Sequence, residues 1–469
     1  MKKDAFYYQT LKNNIILSSD AYKHTHWLQY PKNTEYIYSY FESRGGQRDT
    51  TMFYGLQIAL KKYLSGVVVE QWMIDEAEEF CQKMFGFNYF NRAGWEYILN
   101  EHGGKLPIRI KAAPEGLLIP THNVLMSIEN TDPKVAWLTN FLETLLTPYM
   151  WYGTAVATNS YYIKKLIQEF AEKAGENVLS WHLNDFGYRG VSSKESAGIG
   201  GSAHLINFTG TDTLEGIVYA QRYYDAEHCG FSVMAAEHST VTIYGREHEA
   251  QAYEAFLDNC PDAATLSVVC DSYDTINAVN NIFGEQLKEK VLKRSGKLVV
   301  RPDSGDPAIM AVEVLQSLWN KFGGTKNANG YKVLNPKVGV IYPDGINYHS
   351  VNRILFNATD LNGFAPSNIV FGMGGALLQE VNRDTHKNAF KCSLGCVDGK
   401  WVDVYKDPIT DPGKKSKRGR QILLKDENGK YSTTNDVSQT TNDVMEVVYE
   451  NGELLKEYTF DEVKKNSLL

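Results

Sequence analysis

No run in this 469-residue chain approaches the roughly 18 apolar residues that a membrane-spanning helix requires. The opening residues, Met1-Lys-Lys-Asp-Ala-Phe6, lack the apolar core of a secretory signal. The six cysteines (Cys81, Cys229, Cys260, Cys270, Cys392 and Cys396) include no CxxC pair. Cys392 and Cys396 have no neighbouring cysteine or histidine set to complete a zinc site, so buried free thiols are expected. An excess of positive charge is also lacking: 48 Lys and Arg stand against 56 Asp and Glu, a net charge of −8. That balance excludes a broad nucleic-acid surface and leaves room only for a local basic pocket. There is no long linker or low-complexity tract. These absences predict a cytoplasmic globular protein that engages neither nucleic acid nor membrane. With 43% hydrophobic residues, the length suits two domains, or one barrel with a substantial addition.

The most informative stretch is Leu298-Val-Val-Arg-Pro-Asp-Ser-Gly-Asp-Pro307. Its apolar run reads as a parallel strand covered on both faces, ending in charge and glycine. Arg301 offers a rigid fork of donors that suits phosphate, and Asp303 can accept from ribose hydroxyls or hold Mg²⁺ through water. The same grammar recurs: Leu266–Cys270 runs into Asp271, Val338–Tyr342 into Pro343-Asp344-Gly345, and Ile369–Phe371 into Gly372-Met-Gly-Gly375. Strand starts at 266, 298, 338 and 369 are spaced by 32, 40 and 31 residues, the length of a βα unit. Serial units of this kind predict a parallel sheet or barrel with one shared rim, where ligands bind.

Outside that rhythm the signals change. Residues 36–41, 106–110 and 117–128 read as strands of an antiparallel sheet with one wet face. Residues 53–64, 70–84, 134–149 and 153–174 read as helices. Near the end, Asn428-Gly429 and Asn451-Gly452 each sit between apolar alternations, a strong hairpin cue. The expected fold is therefore α/β: an α/β barrel at 151–393, inserted in a β-rich module built from residues 1–150 and 394–469.

Several groups could carry chemistry. His182-Leu-Asn-Asp-Phe-Gly-Tyr-Arg-Gly190 supplies Phe186, able to stack on a flat ring or to serve as core, and Arg189, able to bind phosphate or a carbonyl. Gly198-Ile-Gly-Gly201 is a weak phosphate-loop signal, because the P-loop lysine is missing. Asp212 is a further strand-end acid. In Ala235-Ala-Glu-His-Ser-Thr240, His238 lies between Glu237 and two hydroxyl residues, so one ring nitrogen can be oriented while the other faces a site. Gly374 and Gly375 precede a helix expected from Leu377, which would aim backbone amides at an anion. Arg383 lies eight residues past Gly375, about two helical turns. Lys406-Asp-Pro and Asp411-Pro-Gly-Lys-Lys-Ser-Lys-Arg-Gly-Arg420 form the one basic cluster in an acidic chain, a solvated loop or a polyphosphate contact.

Taken in order, Asp20-Ala-Tyr-Lys-His-Thr-His26, Asp185-Phe-Gly-Tyr-Arg-Gly-Val-Ser-Ser193, Ala236-Glu-His-Ser-Thr240, Asp271-Ser-Tyr-Asp274, Arg301-Pro-Asp-Ser-Gly305, the 372–375 loop and Lys406-Asp-Pro408 resemble the nicotinamide phosphoribosyltransferases of the type II phosphoribosyltransferase group, nearly end to end. The resemblance implies transfer of phosphoribosyl from phosphoribosyl pyrophosphate to nicotinamide, and a homodimer with active sites at its interface. It implies that Phe186 and the other subunit's Tyr22 sandwich the pyridine ring, with Asp212 on the carboxamide and Arg301 beside the ring. It places Asp303 near the ribose, and Asp271 and Asp303 near Mg²⁺–pyrophosphate. Arg189 and Asp344 belong to the same substrate site. Gly374, Gly375 and Arg383 would hold the 5′-phosphate, and Lys391, Lys406 and Lys414 the polyphosphate side. His238, with Glu237 as neighbour, would be phosphorylated by the co-substrate ATP. Pro343 and Ala389 stand where the vertebrate enzymes carry glycine and serine. The rival readings are a nicotinate phosphoribosyltransferase, disfavoured because Asp212 would face an anionic base; a glycosidase with paired rim acids; and a non-catalytic nucleotide-binding protein.

Overall fold

The computed structural model describes residues 13–410 and 415–468, and they fall into two compact units. The first takes residues up to 155, the short piece 223–225, and everything from 382 onward. Among its described residues, seven strands form one sheet in the order Lys400–Asp403, Ala389–Val397, Thr34–Glu42, Val124–Asn130, Ile108–Ala112, Glu446–Glu450, Glu453–Leu454. Every pairing is antiparallel. The three N-terminal strands are central and C-terminal strands extend the sheet on both sides, so both ends of the chain build one β-rich module. Ala389–Val397 crosses the limit expected at 393 and pairs along its length with Thr34–Glu42.

The expected wet face is found only in part. Ile108–Ala112 alternates buried and half-buried residues, but Ile37 to Glu42 are all buried, as are all but Glu129 of Val124–Asn130. The central strands are covered on both faces. Glu42 tolerates burial because Arg44 Nε donates to it at 2.6 Å and Lys417 Nζ pairs with its second oxygen. The two helices expected at 134–149 and 153–174 are one helix, Glu143–Ala174, preceded by short turns. Gly153 does not end it. A Cβ there would meet the Tyr54 carbonyl oxygen at 2.7 Å, so the glycine serves close packing. Asn451-Gly452 forms the expected two-residue hairpin, both residues at positive φ and Glu450 opposite Glu453. Asn428-Gly429 instead sits in a five-residue loop closing Lys425 onto Tyr431, held by Asp426 Oδ1, which accepts from the N–H groups of Asn428 and Lys430. The inclusion of 223–225 follows from Tyr224, whose ring stacks on Tyr54 at 5.0 Å and whose hydroxyl donates to buried Glu115 at 2.6 Å.

The second unit, 156–222 and 226–381, is the α/β part. Its strands are β1 (Leu183–Asp185), β2 (Gly210–Thr211), β3 (Met234–Ala235), β4 (Leu266–Val269), β5 (Leu298–Arg301), β6 (Val338–Tyr342) and β7 (Ile369–Met373). They pair in parallel in the order β2-β1-β7-β6-β5-β4-β3. The edges of this sheet meet: Thr211 N–H donates to Phe231 O at 2.9 Å and Phe231 N–H to Thr209 O at 2.7 Å, just before β3. That bridge closes the barrel. The glycines Gly198 and Gly201 lie inside the helix Lys194–His204, where a Cβ would strike the Tyr219 ring or Gly216. They allow two helices to pack closely and form no phosphate loop.

None of the six cysteines is disulfide-bonded; Cys81, Cys229, Cys270 and Cys396 are buried, whereas Cys260 and Cys392 are half-buried. Among the described residues no helix is long and apolar enough to cross a membrane.

Candidate active site

Every barrel candidate follows a strand at its carboxyl end. Phe186 and Arg189 follow β1, Asp212 follows β2, and Glu237 and His238 follow β3. Asp271 follows β4, Arg301 ends β5 with Asp303 beyond it, Asp344 follows β6, and Gly374 and Gly375 follow β7. This is the rim at which parallel barrels bind ligands, because loops there are free to vary on a fixed scaffold.

Phe186 is seated by backbone. Its N–H donates to Met373 O at 3.0 Å, and its ring lies so close over Gly372 that a Cβ there would come within 2.3 Å of it, and within 3.0 Å of Pro343. Half-buried, the ring keeps one part accessible. Asp212, exposed, takes a hydrogen bond on Oδ1 from the Ser232 hydroxyl, and its N–H donates to Asp185 O at 2.9 Å. Beneath it, the buried Asp185 carboxyl accepts from Gly187 N–H at 2.7 Å. Burial pushes Asp185 up to about 6, the Gly187 N–H and the nearby Thr213 hydroxyl opposing and Asp212 reinforcing the shift.

Past the closure, after β3 and β4, His238 Nε2 lies 3.0 Å from Asp271 Oδ1. Asp271 is nearly buried and the imidazole half-exposed, so the acid fixes Nε2 and leaves Nδ1 uncommitted to it. The sequence suggested Glu237 as the neighbouring acid; its carboxylate is instead occupied by the Ser239 hydroxyl. Arg301 Nη2 donates to Ala236 O at 2.9 Å, while its buried Nε has no partner among the described residues. Asp303 is held above the usual carboxylate range, first by burial and then by Asp271 and Asp344, with Arg301 and His238 opposing. Tyr342, buried on β6, donates its hydroxyl to Ser304 O at 2.9 Å and so supports the Asp303 loop.

The glycine loop differs from expectation. The helix begins at Gly375 and ends at Leu378, too short for an appreciable dipole. Any anion contact there rests on backbone amides and open space, since a Cβ on Gly375 would meet nothing within 4 Å. Arg383 is not on that helix; it opens a separate 3₁₀ turn in the first unit.

Tyr22, Lys391 and Lys406 also belong to the first unit. Tyr22 is exposed on the turn Ala21–Leu28, edge-on to His26 at 4.7 Å. Lys391 is pulled below the usual lysine range by burial, with Arg44, Arg383 and Lys406 adding to the effect against Glu143. Those four cations therefore form one cluster, and Arg44 is a member that the sequence did not single out. Lys414 lies outside the described residues. Among the described residues no three His, Cys, Asp or Glu side chains form a ready metal cage.

Comparison with known proteins identifies the family. The profile of the nicotinate phosphoribosyltransferase (NAPRTase) family matches residues 181–453, and that of the nicotinamide phosphoribosyltransferase N-terminal domain matches residues 14–110. A nicotinamide phosphoribosyltransferase of Xanthomonas campestris is 46% identical over 465 residues, 97% of this chain and 98% of that protein. One from Acinetobacter baylyi is 33% identical, covering 96% of each. Among solved structures, the nicotinate-nucleotide pyrophosphorylase of Pyrococcus furiosus superposes with a TM-score of 0.61 at 16% identity, covering 100% of this chain and 97% of its own. That likeness speaks to the fold.

Proposed function

The chain belongs to the nicotinamide phosphoribosyltransferase family, and from that footing we propose which of its residues carry the reaction. The ring nitrogen of nicotinamide attacks the anomeric carbon of phosphoribosyl pyrophosphate as pyrophosphate leaves, giving nicotinamide mononucleotide for NAD salvage. The attacking nitrogen bears no proton, so the site needs alignment and charge stabilisation more than acid–base chemistry.

Phe186 stacks on the pyridine ring, and Asp212 accepts from the carboxamide N–H. Arg301 lies beside the ring with an unpartnered donor, and Asp303 takes the ribose hydroxyls; Arg189 and Asp344 complete the wall. Asp271 and Asp303 fit Mg²⁺, since they are hard oxygen donors and Asp271 and Asp344 both disfavour ionisation of Asp303, a repulsion that a divalent cation relieves. Held by these two carboxylates, Mg²⁺ would supply charge neutralisation for the pyrophosphate group. Gly374 and Gly375 cradle the 5′-phosphate. In a homodimer, the first unit of one copy supplies Tyr22, Arg383, Lys391, Lys406 and Lys414 to the barrel of the other.

His238 is the ATP-dependent element. With Nε2 held by Asp271, Nδ1 takes the γ-phosphoryl group as ADP leaves, and hydrolysis of that bond drives the otherwise reversible transfer. The observation that carries the whole reading is the convergence of ring, amide acceptor, arginine and acids on one barrel rim. The test is product formation from phosphoribosyl pyrophosphate and Mg²⁺ with nicotinamide or nicotinate, with and without ATP. Nicotinamide mononucleotide, formed faster with ATP, is expected. Nicotinate mononucleotide as main product overturns the role of Asp212, and no response to ATP overturns that of His238.

A further inference from the structure

The register at the closure of the barrel dictates a contact that the sequence does not announce. Phe231 bridges Gly210, and its backbone groups bond Thr209 and Thr211. One residue past that bridge on one strand is Ser232; two residues past it on the other is Asp212. The two side chains meet: Ser232 Oγ donates to Asp212 Oδ1, its other contact, Val233 O at 3.4 Å, being longer. No described residue bonds Asp212 Oδ2. On the opposite side, the Asp185 carbonyl fixes the Asp212 backbone at 2.9 Å.

We propose that Ser232 is the residue that sets the preference for a neutral carboxamide over a carboxylate, by tying one oxygen of Asp212 and leaving the other as a single aimed acceptor. Without it, the exposed Asp212 side chain turns freely between water and base. An acceptor that must first be oriented loses much of its advantage for an N–H donor. In this role Ser232 is a positioning residue that acts through Asp212. The proposal rests on the assignment of Asp212 to the carboxamide.

The experiment compares Asp212→Asn, Ser232→Ala, Ser232→Thr and the Ser232→Ala/Asp212→Asn double variant in the full-length enzyme. For each, kcat and KM are measured with nicotinamide and with nicotinate. Ser232→Ala is expected to lower the amide-to-acid ratio of kcat/KM by about tenfold, mostly through a higher KM for nicotinamide, the scale of one lost hydrogen bond to a charged group. Ser232→Thr should restore it, since the added methyl has room in a cavity of about 490 Å³ that Ser232 lines together with Asn184, Phe231 and Val299. In the double variant the loss should be no greater than in Asp212→Asn alone. An unchanged ratio in Ser232→Ala, or effects that multiply in the double variant, overturns the proposal while leaving Asp212 in place. An unchanged ratio in Asp212→Asn overturns the assignment beneath it as well.

Discussion

Gly372→Ala tests the base pocket by a single methyl group. Gly372 is buried on β7 and its φ is not positive, so alanine meets no backbone objection. The obstacle is the Phe186 ring, whose edge atoms lie 2.3 and 2.4 Å from the position of the new Cβ, with Pro343 at 3.0 Å. Restoring ordinary contact at 3.4 Å moves the ring by about 1 Å, the difference from 2.3 Å. The strand cannot yield instead, because its neighbours β1 and β6 are hydrogen-bonded on either side of it. Overpacking of this kind costs about 1–3 kcal/mol. If most of that falls on ring placement, KM for nicotinamide rises about 10-fold or more, while KM for phosphoribosyl pyrophosphate stays within about twofold. Steady-state kinetics with each substrate varied separately provides the readout, and the melting temperature provides the control for folding. Unchanged KM for nicotinamide with normal folding would refute both the stacking role of Phe186 and its support by Gly372.

Gly375→Ala is the complementary probe: its Cβ meets no protein atom within 4 Å, so folding should be unaltered while KM for phosphoribosyl pyrophosphate rises at least about fivefold, a phosphate having been crowded; equal KM values would remove the loop from phosphate binding. His238→Ala should abolish stimulation by ATP yet keep measurable transfer, and persistent stimulation in the rate assay would rule out the phosphohistidine. Asp185 gives a stability prediction. Its folded value of about 6 exceeds the ordinary 3.8, so its contribution favours folding below about pH 4 and is lost as pH rises through about 6, on the order of 3 kcal/mol. Asp185→Asn should therefore gain melting temperature relative to the parent between about pH 4.5 and about pH 7; a constant difference would reject the shift.

The barrel was legible because its strands are short continuous apolar runs that end in acid or glycine, a pattern that amphipathic helices and half-buried strands do not produce. β4, β5, β6 and β7 stand at the residues where those runs were read. The helix 143–174 was not legible, because Gly153 and Pro148 both signal breaks in a sequence, and only a neighbour such as the Tyr54 carbonyl shows that Gly153 has another purpose. Likewise, the alternation that betrays a half-buried strand vanishes in Thr34–Glu42, where even Glu42 is buried through its pairing with Arg44 and Lys417, the latter 375 residues away. In the site, residues that follow strands were found and residues that support them were not. Ser232 depends on a bridge between Gly210 and Phe231, and Arg44 joins Lys391 only through pairing of distant strands. Glu237 drew attention by adjacency, whereas Asp271, 33 residues on, holds His238.

The charge distribution fits the proposal that two copies of the chain share each site. On the proposed reading the barrel rim carries the acids Asp271, Asp303 and Asp344, and burial, Asp271 and Asp344 all disfavour ionisation of Asp303. The cations Arg44, Arg383 and Lys406 instead gather around Lys391 in the first unit, where they depress it. Each cluster gathers charges of one sign, and each is suited to the opposite partner: Mg²⁺ for the acids, phosphate oxygens for the cations. A Mg²⁺-bound pyrophosphate ester presents both at once. Binding energy that would otherwise be absorbed in ordering flexible side chains is thus drawn from repulsion already present in the free protein. An acidic chain with net charge −8 can in this way hold a polyanion, because the local field, and not the total charge, decides where the phosphates go.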